Sequence, residues 1–354
     1  MEASKYLTIV NWARDQVSRY KPGDRFHTEG ELSELFGVSR QTVRQAVGML
    51  ETEGVLERRR GSGTYISFPY KKTEQTMTVG LITTFMGDYV LSSLMEGIES
   101  VLTKNNHSMQ VAFTRNNHQK ESQIFVSMLT GGVDGFIVIP PKNNLYNPNI
   151  NIYQGIAQEN IPLIFIDCHY KNLPFHCVGL DNVAAGRMAT EYLIKAGHKK
   201  IAGFFMSDMQ QGVLRYEGYV RALVDAYDDY DLDHVLWCSE DDIDDLFAHP
   251  RRILGRFDGC TGLVCFNDSH ANRMMHFLIG NGIKIPEDMS VVGIDNDENS
   301  ALMSVPLTSV NHPLEETGRK AAENLLELIN KPGFNASYMF APHMVERESV
   351  RRLL

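Results

Sequence analysis

The stretch from Thr28 to Ile66, TEGELSELFGVSRQTVRQAVGMLETEGVLERRRGSGTYI, is the part of the chain that decides the fold of its N-terminal region. Thr28 and Glu31 have the spacing of a capping box, in which each residue satisfies a free backbone amide at the start of a helix. Gly37 can adopt the left-handed conformation that ends a helix. Ser39 is a typical N-cap for a second helix. The sequence therefore predicts two helices joined by a tight turn.

The second helix has two chemically different faces. Its apolar face predicts burial against the first helix. Its first turns carry hydrogen-bond donors on the other face, which is where a helix-turn-helix contacts the edges of DNA bases. These donors are Arg40, Gln41, Thr42 and Arg44.

A hairpin follows the two helices. Val55–Glu57 and Thr64–Ile66 read as strands, and the turn between them holds three consecutive arginines and two glycines, RRRGSG. Glycines let the backbone come close to a phosphate, and arginines at a hairpin tip give a positive field. Arginines scattered on a helical pair would indicate an ordinary solvated surface. Because the arginine-rich hairpin directly follows the two helices, a nucleic-acid-binding domain is favoured.

Residues 5–66 resemble the winged-helix DNA-binding domain of GntR-type bacterial regulators. The motifs that carry the resemblance are TEGEL, FGVSRQTVRQAV and LETEGVLERRRGSGTYI. The resemblance implies that the second helix enters the major groove and that the wing approaches the minor groove and its phosphates. The DNA-contacting residues that it implies, together with the cap, are Thr28, Arg40, Gln41, Thr42, Arg44, Arg60, Gly61 and Gly63.

The charge distribution agrees with a DNA partner although the net charge is −10. Residues 1–72 hold 12 basic and 9 acidic side chains, so the excess acid lies in the remainder of the chain. The local field over the contacting face governs phosphate binding, rather than the total charge.

The five cysteines form no C-x-x-C pair, so the sequence predicts neither a disulfide framework nor a zinc site. The N-terminus lacks the apolar segment of a signal peptide, and no apolar run is long enough to span a bilayer. We expect a reduced, cytoplasmic protein with no membrane partner.

From Val79 onward, short apolar runs alternate with helical segments. This alternation is typical of parallel sheets with covered faces. The region is long for one such sheet, so we expect an α/β fold with two doubly wound lobes behind the small winged domain. The expected boundaries are residues 1–68 for the DNA-binding domain, 69–78 for a linker and 79–354 for the two-lobed domain. One acidic helix is expected around Asp242–Gly255.

Polar and aromatic side chains follow most of the predicted strands. In open α/β sheets, ligands bind beyond the carboxyl ends of the strands, so these residues are candidates for one site. Any single one of them is more often a loop residue or a helix cap, and Asp268 in particular is expected to cap its helix. The candidates are Phe85, Tyr89, Lys142, Asp167, His169, Arg215, Asn267, Asp268 and Asp295.

This set of side chains suits a neutral polyol such as a monosaccharide. Carboxylates and amides bind adjacent hydroxyls, and aromatic faces cover apolar C–H surfaces. A phosphorylated ligand would favour more cations than Lys142 and Arg215.

The same region resembles the effector-binding domain of LacI/GalR regulators, which is similar to periplasmic sugar-binding proteins. The motifs are GVDGFIVIPP, GLDNVAAGRMATEYLIKAGHKKIAGF, RYEGYVRAL, FNDSHA, IPEDMSVVGIDN and LTSVNHP. The resemblance implies that the helix at 313–330 belongs with the first lobe. The effector-contacting residues that it implies are Asp167, Arg215, Asn267, Asp295 and His312, where the family often has Gln at the last position.

The combination of the two domains resembles the arabinose-responsive repressors of Gram-positive bacteria, without the LacI hinge helix. It implies a homodimer on double-stranded operator DNA that is released by a sugar, most simply L-arabinose. A regulator that answers another sugar, a purine or an amino acid remains an alternative within the same architecture.

Enzyme motifs are not found: the sequence has no G-x-G-x-x-G after a strand, no P-loop, no G-x-S-x-G and no H-E-x-x-H. The pairs His118/Glu121 and His343/Glu346 have metal-ligand spacing, but isolated pairs are mostly surface residues. We expect a non-enzymatic protein with no metal or cofactor.

Overall fold

The computed structural model describes residues 3–17, 20, 23–52, 55–59, 61–67, 75–84, 89–228 and 231–353. In these ranges the chain forms a winged helix-turn-helix domain and two α/β lobes, as the sequence predicts. Arg60 and Phe85, two of the predicted site residues, lie outside the described residues, as does most of the expected linker.

The N-terminal domain contains three helices and a two-stranded wing. Its elements are α1 (Ala3–Val17), α2 (Glu29–Phe36), α3 (Arg40–Thr52), β1 (Leu56–Arg59) and β2 (Gly63–Ile66).

The predicted helix boundaries in this domain are confirmed at atomic level. The Thr28 Oγ1 accepts a hydrogen bond from the Glu31 amide at 3.2 Å, and the Glu31 carboxylate accepts one from the Thr28 amide at 2.7 Å. These bonds to Thr28 lower the pKa of Glu31. Gly37 has φ +60° and ends α2, while the Ser39 Oγ accepts from the Thr42 amide at 3.2 Å and begins α3. The turn of the helix-turn-helix is therefore specified locally.

The first lobe is built on a six-stranded parallel sheet in the order β13-β7-β6-β5-β3-β4. Apolar clusters fill both of its faces. Its elements are β3 (Thr78–Thr83), α4 (Tyr89–Lys104), β4 (Ser108–Phe113), α5 (His118–Thr130), β5 (Gly135–Val138), α6 (Ile150–Gln158), β6 (Leu163–Ile166), β7 (His176–Leu180), α12 (Leu314–Asn330) and β13 (Tyr338–Phe340).

The second lobe is also built on a six-stranded sheet, in the order β14-β12-β11-β10-β8-β9. Among the described strands of this sheet, β14 pairs with β12 in the antiparallel direction and the other pairs are parallel. Its elements are α7 (Asn182–Lys195), β8 (Ile201–Met206), α8 (Gln210–Ala226), β9 (Val235–Cys238), α9 (Ile243–Ala248), α10 (Pro250–Arg256), β10 (Gly262–Cys265), α11 (Asp268–Gly280), β11 (Ser290–Asp295), β12 (Thr308–Asn311) and β14 (His343–Val345).

The chain crosses between the lobes three times within the described residues: from β7 to α7, from β12 to α12, and from β13 to β14. The helix α12 packs against α4 and the first sheet, so the predicted assignment of 313–330 to the first lobe is confirmed. Because the crossings lie along one edge of the cleft, the lobes are hinged there and their facing surfaces form the cleft walls.

One expectation needs correction. The single helix expected around Asp242–Gly255 is two helices, because Pro250 lacks the N–H that would continue the ladder of α9 and instead begins α10. The last residues of the expected linker contact the first lobe, since the amides of Thr76 and Thr78 donate to the Asp134 carboxylate at 3.1 and 3.3 Å.

Candidate functional site

A cleft of about 570 Å³ lies between the two lobes, at the carboxyl ends of both sheets. This volume falls within the range of about 300–1,000 Å³ typical of small-molecule sites. Seven predicted residues line it, and they come from both lobes and from the hinge: Lys142, Asp167, Arg215, Asn267, Asp268, Asp295 and His312.

Arg215 is the central cation of the second lobe's wall. Its side chain is 3% exposed. The guanidinium donates to Asn182 Oδ1 at 2.8 Å, to the Phe266 carbonyl, and to Asp295 Oδ1 at 3.1 Å, and it stacks on the Phe266 ring. Because the three nitrogens are engaged within the lobe, Arg215 acts mainly to fix Asp295 at the floor of the cleft.

The helix that carries Arg215 is held in place by close helix packing. A Cβ built on Gly186 of α7 would overlap the carbonyl oxygen of Arg215 on α8. Only glycine allows the two backbones to approach so closely, so the position of Arg215 depends on Gly186.

His312 lies between two buried carboxylates at the hinge crossing. Its Nε2 is 3.4 Å from Asp167 Oδ2 in the first lobe, and its Nδ1 is 3.6 Å from Asp295 Oδ1 in the second. Burial opposes the charged imidazolium, but Asp167 and Asp295 outweigh it and raise the pKa of His312. The carboxylates of Asp167 and Asp295 are thus paired with the side chains of Arg215 and His312 inside the cleft.

Asn267 and Asp268 hold the local structure of the second wall. The helix cap is Asn267, whose Oδ1 accepts from the His270 amide at 2.9 Å, so the expectation that Asp268 caps α11 is wrong. Asp268 instead accepts from Ser300 Oγ and Ser309 Oγ, both at 2.6 Å, and from the Asp297 amide at 2.9 Å. Burial, and then the Asp295 carboxylate, raise the pKa of Asp268 to about 7.

Several buried polar atoms of the cleft wall have no hydrogen-bond partner within the described part of the chain. They are the Gln211 Oε1, the His270 Nε2, the Asn272 Oδ1 and the His312 Nε2. His270 Nδ1 lies 2.6 Å from the Asn267 oxygen, which can only accept, so Nδ1 carries the proton and Nε2 is an acceptor. The three acceptors belong to residues that line the cleft, whereas the His312 Nε2 lies 3.4 Å from Asp167 Oδ2.

Buried polar groups without partners are costly, and such groups in a cleft indicate a polar ligand that would satisfy them. A set dominated by acceptors, beside carboxylates that already have partners, suits ligand hydroxyl groups rather than an anion. This is the chemistry of a neutral polyol.

Lys142 lines the cleft and also joins the two lobes, whereas His169 lies outside the described lining. Lys142 reaches across the lobes to pair with Asp241 of the second lobe. His169 is exposed and is not among the lining residues that the structure describes; its backbone amide instead bonds to Gln210 Oε1 at 2.9 Å. Tyr89 begins α4.

Sequence reasoning missed Gln211, His270 and Asn272. All three lie in the first turns of helices that begin directly after a strand exit, α8 and α11. The strand-exit rule selected Arg215 and Asp268 from these two helices but did not extend to the other residues of their first turns that line the cleft.

The N-terminal domain presents its predicted donors on one exposed surface. Arg40, Gln41 and Arg44 are exposed on α3. Arg44 pairs with Glu29 at 2.8 Å, and Glu29 also pairs with Arg58 at 3.2 Å, so one carboxylate, missed by sequence reasoning, orients an arginine of the helix and one of the wing. The wing tip has Gly61 and Gly63 at positive φ.

The two pairs with metal-ligand spacing have other roles. Glu121 accepts hydrogen bonds from Asn149 and Tyr153, both at 2.7 Å, and Glu346 accepts one from Tyr192 at 2.9 Å. Among the described residues, no group of three or more His, Cys, Asp or Glu side chains could hold a metal ion. None of the helices that the structure describes is long and apolar enough to cross a membrane.

Comparison with known proteins agrees with this architecture. Residues 16–66 match the model of the bacterial regulatory proteins of the gntR family, and residues 190–350 match that of a periplasmic binding protein-like domain. The chain is 32% identical to the arabinose metabolism transcriptional repressor of Geobacillus stearothermophilus, over 99% of this chain and 98% of the relative.

It is 31% identical to the repressor of the same name from Halalkalibacterium halodurans, over 93% and 91% of the two chains. Among solved structures, the transcriptional regulator CelR in complex with cellobiose superimposes with a TM-score of 0.68 at 23% identity, covering 92% of this chain and 100% of that one. The chain belongs to the family of bacterial transcriptional repressors of arabinose metabolism, which join a GntR-type helix-turn-helix domain to a LacI-type periplasmic binding protein-like domain.

Proposed function

We propose that this repressor binds operator DNA through the winged domain, controls genes of carbohydrate use, and is released when L-arabinose closes the cleft. The observation that supports this class of ligand is the set of unpaired acceptors at Gln211, His270 and Asn272, which line a cleft whose Asp167 and Asp295 carboxylates are already paired. The relatives named for arabinose metabolism support the particular sugar.

The working unit in this proposal is a homodimer in the cytoplasm, with one winged domain in each half-site of a palindromic operator. The proposed boundaries are 1–68 for the DNA-binding domain, 69–78 for the linker and 79–354 for the effector domain. The proposed DNA contacts are Thr28, Arg40, Gln41, Thr42, Arg44, Arg60, Gly61 and Gly63.

The proposed effector contacts in the described cleft come from both lobes, so a bound sugar bridges them. Asp167 belongs to the first lobe, Arg215 and Asp295 to the second, and His312 to the hinge. A ligand shifts a conformational equilibrium only through different affinities for its two states, and a bridging ligand has its full contacts only in the closed state. Closure then changes the spacing of the two winged domains, and operator affinity falls.

The test is a fluorescence anisotropy titration of the full chain on operator DNA that has been selected from a random pool. We expect L-arabinose at millimolar concentration to weaken operator binding by about 10-fold or more, a coupling of ordinary allosteric size. D-ribose, D-xylose, D-galactose, adenine and guanine serve as comparison ligands. Unchanged operator affinity with L-arabinose would refute the arabinose assignment, and a response to adenine or guanine alone would refute the sugar class.

A further inference from the structure

The helix α5 lies between the first lobe's sheet and the DNA-binding domain. Its residues Phe125, Met128 and Leu129 pack into the core of the first lobe. Val126, on a neighbouring face of the same helix, is 7% exposed and belongs to the apolar cluster of the winged domain. The helix α1 packs directly against α5. The winged domain is therefore docked on the effector domain through one side of α5.

The N-terminal end of α5 carries a buried carboxylate with a different set of partners. Glu121 is 0% exposed, and it accepts hydrogen bonds from Tyr153 Oη and Asn149 Nδ2, both at 2.7 Å. A buried carboxylate that loses its donors is costly, so α5 and the segment that holds Asn149 must move together.

That segment, residues 142–149, reaches across the cleft opening to the second lobe. Asn144 Nδ2 donates to the Ser207 carbonyl at 2.8 Å, and its amide donates to the Asp208 carbonyl at 3.1 Å. Asn143 lines the cleft and accepts from the Gln210 amide at 2.7 Å. These contacts join the lobes beyond β5 and β8, away from the strands that carry the three crossings. We therefore expect them to form when the cleft closes and to break when it opens.

We propose that α5 is the element through which cleft closure is communicated to the DNA-binding domain. The segment 142–149 moves when the distance between the lobes changes. Its hydrogen bond from Asn149 to Glu121 then displaces α5, and the contact of Val126 with the winged domain displaces α1. A 13-residue helix is about 20 Å long and rigid, so a displacement at its start appears at its end. This inference rests on the proposed function for the identity of the sugar, but not for the docking contact itself.

The first test removes the docking contact with Val126→Asp. Because Val126 faces the winged domain rather than the lobe core, the lobe should fold without it. The matched control is Ser127→Asp, which places the same charge one position along on an exposed part of α5. We measure the ratio of operator Kd with and without L-arabinose, and arabinose binding by calorimetry.

In the unmutated chain, we expect L-arabinose to raise the operator Kd by about 10-fold or more. In Val126→Asp, the ratio of the Kd values with and without L-arabinose should fall by about 10-fold, or to unity where the unmutated ratio is less than about 10. Ser127→Asp should stay within about twofold of the unmutated chain, as exposed substitutions do. Arabinose affinity should remain within about threefold in both variants, because neither residue lines the cleft. An unchanged ratio in a Val126→Asp variant that binds arabinose would overturn the proposal.

The second test weakens the other end of the path with Tyr153→Phe, which removes a single hydroxyl from Glu121. The matched control is Tyr219→Phe, since Tyr219 is also 0% exposed and its hydroxyl donates to the Ile201 carbonyl in the second lobe. Tyr153→Phe should reduce the arabinose response more than Tyr219→Phe. Equal responses in the two variants would overturn the role of Glu121.

A third measurement needs no sugar and separates this inference from the proposed function. Hydrogen exchange of the free protein should show faster exchange of α1 amides in Val126→Asp than in Ser127→Asp. Equal exchange would overturn the docking. If α1 is deprotected as expected but the unmutated chain responds to no sugar, the proposed function fails while the docking stands.

Discussion

The buried pair of Arg215 and Asp295 should be strongly coupled, and the substitution Arg215→Met tests this. Methionine has a similar length and no charge, so it removes the three guanidinium hydrogen bonds with little change in volume. Asp295 is 4% exposed and would keep a buried charge without the guanidinium, at 3.6 Å from His312 Nδ1. Removing one partner of a buried pair costs about 3–5 kcal/mol.

The loss is measured on the second lobe by urea unfolding. The chain has two tryptophans, of which Trp12 is in α1 and Trp237 is in β9 of the second lobe. In a Trp12→Phe background, the fluorescence of Trp237 therefore follows the second lobe alone. With an m-value of about 2 kcal/mol per molar urea, a loss of about 4 kcal/mol lowers the midpoint by about 2 M.

The double variant Arg215→Met/Asp295→Asn makes the test specific to the pair. Removing the second charge also removes the unpaired carboxylate, so the double variant should be less destabilised than the sum of the single variants. We expect an interaction energy of about 2 kcal/mol. If the costs of the two single variants add up to the cost of the double variant within about 0.5 kcal/mol, the two charges are independent and the reasoning is refuted.

Three further outcomes are expected. Burial, and then Arg273, lower the pKa of His270 to about 4, so its neutral form stabilises the fold above pH 6.5 and that contribution is lost as the pH falls toward 4. Because the raised pKa of Asp268 acts in the opposite direction over the same range, the test is a comparison of variants: between pH 7 and 5 the second lobe of the unmutated chain should lose about 2 kcal/mol more stability, measured by urea unfolding, than that of His270→Gln. Gly186→Ala should destabilise the second lobe by about 1–3 kcal/mol, because its Cβ forces α7 away from α8; an unchanged midpoint would show that the helices can separate freely. Arg44→Ala should cost about 1–3 kcal/mol of specific operator binding, measured by anisotropy against a scrambled site, and an unchanged preference for the operator would exclude Arg44 from base contact.

The local elements follow closely from the sequence because their determinants are local. The capping box at Thr28 and the glycine at position 37 specify the turn of the helix-turn-helix without help from the rest of the chain. The strands of the lobes, such as Val235–Cys238 and Gly262–Cys265, are short runs of the kind that the alternation in the sequence predicts. The error at Pro250 came from following acidic composition past a residue that cannot continue a helix.

The site was predictable where a strand delivers a residue directly to the cleft, as at Asp167 and Asp295. His169 shows where the rule stops: Asp167 has φ +53°, so the chain turns there and carries the histidine to the exposed edge. Partnerships between distant residues were not predictable either. Asp268 resembles a helix cap in sequence, and only the fold brings two serines from positions 300 and 309 to its carboxylate.

The docking of the winged domain was beyond sequence reasoning for a different reason. Val126 occurs in a helix whose neighbouring apolar residues face the lobe core, and an apolar side chain does not reveal which of two cores it joins. Periodicity identifies a buried face but not its partner, so contacts between domains have to be seen in the structure.

The distribution of charge in the cleft explains how a site rich in acids can select a neutral ligand. Arg215 is bound on three sides by the protein, Asp268 is bound by three donors, and Asp167 and Asp295 share His312. A ligand charge would disturb this balance, whereas hydroxyl groups can occupy the unpaired acceptors without changing it. A site built to bind a hydroxyl rejects an analogue that lacks it far more strongly than an apolar pocket rejects a missing methylene, because its own polar atoms stay unpaired. In the proposed function, the uncharged groups of α8 and α11 therefore add to the contacts of the charged residues and discriminate between sugars by their unpaired acceptors.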